Sequence, residues 1–114
     1  MKLAYVIAPF RDGEAGPMGD NIAIAKDAAR ELWRMGLAVF CPHLNSGPLY
    51  GYIPEEVAIT GNQVILLRCD LAVTLDGHHL SGGSRDELAI CYQKHIPVYR
   101  WPEDQNRIRE EAAK

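Results

Sequence analysis

An α/β domain, in which a parallel sheet is covered by helices on both faces, is the fold this sequence predicts. Three observations lead there. Short apolar runs rich in β-branched residues alternate with helical patterns in the order β-α-β-α-β-α-β. The connections between them are short and carry Gly, Pro and Asp, which suits crossovers that return each strand parallel to the last. The chain is 114 residues long, enough for one domain with one modest core.

Each element has its own warrant. Residues 2–8, KLAYVIA, form a compact apolar run and read as the first strand. The following PFRDGEAGPMGD is a loop, and Asp20 is placed to cap a helix beginning at Asn21. In that helix Ile22, Ala25, Ala29, Leu32 and Trp33 recur at three- and four-residue spacing, and Gly36 suits its left-handed stop. LAVFCP is a second strand closed by Pro42, and residues 43–53 form a loop with two tyrosines. Pro54 stands at the first turn of a second helix, with Glu55 and Glu56 at its positive end, and this helix runs through VAITGNQVILLRC. DLAVTLD is the third strand, the stretch from residue 75 leads into the third helix, and IPVYRW is the fourth strand. Residues 1–100 are thus expected to form the domain and residues 101–114 a polar, amphipathic helical tail.

Composition narrows the function classes. A net charge of −3 gives no footprint for a nucleic-acid polymer. No stretch approaches the roughly 20 apolar residues of a membrane span. The N-terminal run is too short for a secretory leader and reads as a strand. Cys41, Cys69 and Cys91 are odd in number and widely spaced, which predicts reduced, buried thiols and a cytoplasmic setting. Cys41 and His43 lack the partner pair that a metal site needs, so no metal is expected.

A parallel sheet binds ligands beyond the carboxyl ends of its strands. The loops after Ala8, Phe40 and Leu75 share that edge and bring together Phe10, Arg11, Asp12, His43, Asn45, Asp76, His78, Ser81 and Ser84, with Glu87 in the first turn of the third helix. Ser84-Arg85-Asp86-Glu87 matches a capping box, in which Glu87 serves only the backbone. The other reading points Glu87 into the crevice, where a carboxylate attacks the anomeric carbon of a sugar and holds it as an ester. Asp76 is either a turn residue before Gly77 or a second carboxylate for the same chemistry. Two carboxylates are the minimum for breaking a glycosidic bond, with retention at about 5 Å separation and inversion at a wider one. Ser81-Gly82-Gly83-Ser84 is either a plain loop or a helix start whose N–H groups meet a phosphate. Arg11 and Arg85 favour a phosphorylated ligand slightly.

Taken together, YVIAPFR, Asn21, VFCPHLN and RCDLAVTLDGHHLSGGSRDELAIC resemble the nucleoside 2-deoxyribosyltransferase-like superfamily, most closely its small DUF4406-type proteins, over residues 3–98. The chain departs from that pattern at Ala8, His78 and Ser84, where Gly, Trp and Ala are usual. The resemblance implies a flavodoxin-like three-layer sandwich with four to five parallel strands, in a homodimer or higher homo-oligomer. It implies cleavage or transfer at the N-glycosidic bond of a nucleoside or nucleoside 5′-monophosphate, with no cofactor. Glu87 would be the nucleophile, Tyr5 would orient it, and Asp76 would bind or protonate the base. Ser81 and the N–H groups of Gly82 to Ser84 would meet the sugar hydroxyl or phosphate. The alternative is a non-catalytic module that binds a nucleotide or signalling metabolite in the same crevice, and a weaker one is a structural subunit with a vestigial crevice.

Overall fold

The computed structural model describes residues 1–11 and 13–114. Four strands, β1 (Leu3–Ile7), β2 (Ala38–Phe40), β3 (Leu71–Thr74) and β4 (Val98–Arg100), alternate with α1 (Met18–Arg34), α2 (Glu55–Leu66), α3 (Gly82–Gln93) and α4 (Gln105–Ala113). Among the described residues the strands form one sheet in the order β2–β1–β3–β4, all parallel. This is the flavodoxin-like arrangement, with four strands.

The sheet has a core on each face, as the alternation of side chains along a strand requires. On one face Ala4, Val6, Leu71 and Val73 pack with Ala25, Ala29 and Leu32 of α1 and Ile108 of α4. On the other, Tyr5, Ile7 and Ala72 pack with Leu66 of α2 and Cys91 of α3. Ile108 is fully buried, so the C-terminal helix lies on the sheet through its one large apolar residue. Cys41, Cys69 and Cys91 are all buried free thiols.

Several boundaries differ from the sequence expectation, for local reasons. α1 starts at Met18 after Pro17, so Asp20 sits in its first turn instead of capping it. Asn21, freed from the helix start, turns its amide into the preceding loop, where Nδ2 donates to the carbonyls of Arg11 at 3.1 Å, Glu14 at 2.9 Å and Gly16 at 3.3 Å. Pro42 opens a short 3₁₀ turn, Pro42–Leu44, and a second follows at Gly47–Leu49. α2 ends at Leu66 rather than running on to Cys69. α3 begins at Gly82, with Ser81 as its cap, which moves Glu87 from the first turn to the second. At the sheet edge the outward N–H of Arg100 donates to Asp104 Oδ2 at 2.8 Å, and Asp104 N–H donates back to the Arg100 carbonyl at 2.8 Å.

The candidate active site at the carboxyl edge of the sheet

Three loops meet beyond the carboxyl ends of β1, β2 and β3, and their contacts explain why. His43 is buried, and its Nε2 donates to the Pro9 carbonyl at 2.7 Å. A carbonyl only accepts, so Nδ1 is the bare nitrogen, and it faces Cys41 Sγ at 3.7 Å. Burial lowers the His43 pKa and keeps the ring neutral. Phe10 meets the edges of His43 and Tyr50 at centroid distances of 5.4 and 5.7 Å. Two glycines make this approach possible. A Cβ on Gly47 would lie 3.0 Å from Phe10 Cε1, and one on Gly77 would lie 2.9 Å from Ala15 Cβ. Arg11 and Glu55 form an ion pair that ties the first loop to the start of α2.

Beneath these loops lies the central pair. Tyr5 is fully buried in β1, and its hydroxyl donates to Glu87 Oε2 from the second turn of α3. Burial pushes the Glu87 carboxyl up to about 7, with the Tyr5 hydrogen bond working against that rise and the Asp86 charge adding to it. Tyr5 is in turn held far above its usual range, first by burial and then by the Glu87 charge, so it remains a neutral donor. The capping-box geometry is absent. The cap is Ser81, which accepts from the N–H of Ser84 at 3.2 Å, and the Glu87 side chain is engaged with Tyr5. Ser84 Oγ is buried and meets no hydrogen-bond partner among the described residues. A buried hydroxyl of this kind, beside a helix N-terminus, is suited to bonding a polar group from outside.

The remaining expected residues are placed as follows. Asp76 is exposed one residue past buried Leu75, in a turn closed by His78 N–H on the Leu75 carbonyl at 3.2 Å, with Gly77 at φ +83°. Gly82 and Gly83 are exposed at the first turn of α3. Asn45 is exposed at the end of the first 3₁₀ turn. Arg85 is exposed and donates to the His79 carbonyl at 2.8 Å, its guanidinium lying beside Gly82. Asp12 lies outside the described residues. Two further residues contribute: Tyr50, not singled out in the sequence, completes an aromatic corner with Phe10, and Asn21, named there only within the resemblance, holds the loop carrying Phe10 and Arg11. Tyr50 could have been found as an aromatic in the loop after the second strand; Asn21 was marked by the resemblance, but its reach into the loop was not. Cys41 and His43 bond each other, and no group of three metal-ligating side chains occurs among the described residues. No helix there is long and apolar enough to cross a membrane.

Comparison with known proteins adds two findings. A solved structure of a 2-deoxyribosyltransferase from the psychrotolerant bacterium Bacillus psychrosaccharolyticus superposes with a TM-score of 0.66, covering 86% of this chain and 70% of the other at 19% identity. At that identity the likeness is one of fold. No curated protein sequence matches the chain. Residues 2–101 match a family described as a domain of unknown function, DUF7768.

Proposed function

This chain belongs to the DUF7768 family, and we propose that it cleaves the N-glycosidic bond of a nucleoside or nucleoside 5′-monophosphate, or transfers the deoxyribosyl group, through an ester on Glu87. The observation that carries this reading is the Tyr5–Glu87 pair at the carboxyl edge of a parallel sheet. A nucleophilic carboxylate needs one oxygen fixed and the other free, and Tyr5 fixes Oε2 while leaving Oε1 for C1′. A carboxyl near pH 7 is also poised between a stable ground state and a reactive anion.

In the first step a bond forms between Glu87 Oε1 and C1′ as the bond from C1′ to the base nitrogen breaks. The base departs with the bonding electron pair and takes a proton from a general acid, either Asp76 or a histidine of the loops at this edge. Water or a second base then attacks C1′ and gives up its proton to the conjugate base left by the first step, as the ester bond breaks and the Glu87 carboxylate is restored. Phe10 and Tyr50 offer aromatic surface for a planar base. Asn45 stands at the rim, and His43 acts by holding Pro9 and Phe10 in place. Ser81, Ser84 and the N–H groups of Gly82 and Gly83 are the partners for a sugar hydroxyl or a 5′-phosphate. Arg11 is already paired with Glu55, so the phosphate reading leans on the helix terminus more than on arginine. The resemblance of the motifs to the deoxyribosyltransferase-like superfamily, DUF4406-type proteins included, supports the same chemistry.

The test is chromatography of deoxy- and ribonucleosides and their 5′-monophosphates after incubation with the protein and with Glu87→Gln. Free base is expected from the parent alone, with kcat/KM rising as pH passes through about 7. If no base appears, with or without an acceptor base, the enzyme reading fails, and tight binding of a panel member by both proteins would make this a sequestering module.

A further inference from the structure

α2 is apolar on two opposite sides, and only one of them is used within the chain. Its inner side sends Leu66, fully buried, and Ile65 into the core beneath the sheet. Its outer side carries Val57, Thr60, Gly61, Val64 and Leu67 at three- and four-residue spacing. There Val57, Val64 and Leu67 are 57%, 44% and 49% exposed, and a Cβ on Gly61 would meet nothing within 4 Å. A helix with apolar surface on both sides belongs between two partners, not at a water interface.

The stripe also has an internal symmetry. Counted outward from position 62, Val57 mirrors Leu67, Thr60 mirrors Val64, and Glu56 mirrors Arg68. If a second α2 is laid antiparallel across the first, each of these residues meets its mirror from the other copy. Glu56 of one chain then faces Arg68 of the other, twice, while Gly61 near the crossing lets the backbones come close. Among the described residues neither Glu56 nor Arg68 takes part in an ion pair within its own chain, although Arg68 donates to the Val64 carbonyl at 3.2 Å. Opposite charges left unpaired at the two ends of an apolar stripe are what a self-complementary contact requires.

We propose that the outer stripe of α2 is a two-fold interface, and that its occupant is the α2 stripe of a second copy of this chain. The resemblance noted in the sequence implies a homo-oligomer without saying which surface makes it; the surface is named here by exposure, spacing and charge. The proposal does not rest on the reaction assigned to Glu87. A 12-residue helix is about 18 Å long and covers less than the ~800 Å² that each side of a stable complex contributes. The exposed Leu49 and Tyr52 just ahead of α2 extend the contact, and the dimer is expected to be reversible in the micromolar range.

Sedimentation velocity of the full chain from about 1 to 500 μM tests this, with circular dichroism as the check on folding. The parent should pass from monomer to dimer across that range. Val64→Lys should raise the dissociation constant at least about a hundredfold, because it buries two charges against apolar surface. Glu56→Arg should weaken the dimer about tenfold at low salt, by setting two arginines face to face. Adding Arg68→Glu to Glu56→Arg should restore the parent value to within about threefold, a rescue that a folding defect would not produce. Trp33→Ser, on the exposed face of α1, should change nothing. The proposal is overturned by a monomer at every concentration, by a dimer indifferent to Val64→Lys, by failure of the double exchange to rescue, or by a dimer that depends on Trp33.

Discussion

Glu87 is held in a state that costs the fold something above neutral pH. Its carboxyl rises from an ordinary 4.5 to about 7, so the folded chain binds that proton more readily than the unfolded one does. The stability it lends is fully present below about pH 4.5 and is lost as the pH climbs through about 7. Glu87→Gln stays neutral throughout and keeps an oxygen for the Tyr5 hydroxyl. It should therefore match the parent in urea unfolding at pH 4 and exceed it at pH 8, by up to about 3 kcal/mol. Equal differences at the two pH values would show that the carboxyl is not desolvated. Some of this was legible from the residues alone. Tyr5 fell inside a strand and Glu87 near a helix start, at the same sheet edge. What the sequence could not settle was whether Glu87 served the backbone or the crevice. That turned on a shift of three residues in the cap, from Ser84 to Ser81, hidden because Gly82-Gly83 reads as a turn rather than as the first turn of a helix.

At the scale of elements, three loops fill one another's gaps. Gly77 shows what this demands. It has φ +83°, and an added Cβ would meet Ala15 Cβ at 2.9 Å and Pro9 Cγ at 3.4 Å. Gly51 has φ +86° with nothing near, so the two glycines share the backbone requirement and differ in crowding. Gly51→Ala should cost about 1 kcal/mol in urea unfolding, the charge for a left-handed alanine. Gly77→Ala should cost clearly more, about 2–3 kcal/mol, since the first loop must also move. Similar losses would mean that the loops yield easily. None of this interlocking could be read in advance, because it joins residues about 60 positions apart. The helical stripe of α1 was readable at Ala25, Ala29 and Leu32, which follow a local period, but Trp33, counted in the same stripe, lies 54% exposed. The burial of His43 and the reach of Asn21 were not, since both depend on where a neighbouring loop lies.

For the molecule as a whole, alternation of strands and helices was enough to give the sheet its parallel sense, and the two apolar faces followed from it. The pattern marked four strands where the resemblance allowed four to five, and among the described residues the sheet stops at four. The reason it stops lies in the turn after β4. Arg100 offers its outward N–H and carbonyl to Asp104, which occupies both. A bare sheet edge is a template on which another chain can crystallise one strand at a time into fibrils. Asp104 takes up the last outward pair of groups on β4 from within the same chain, so this edge has that much less to offer an incoming strand. Asp104→Ala should then shorten the lag before thioflavin-positive fibres form under agitation, while Asp104→Asn, which keeps an oxygen acceptor, should hold it near the parent's. An unchanged lag in the alanine variant would mean that the brevity of β4, three residues, is protection enough.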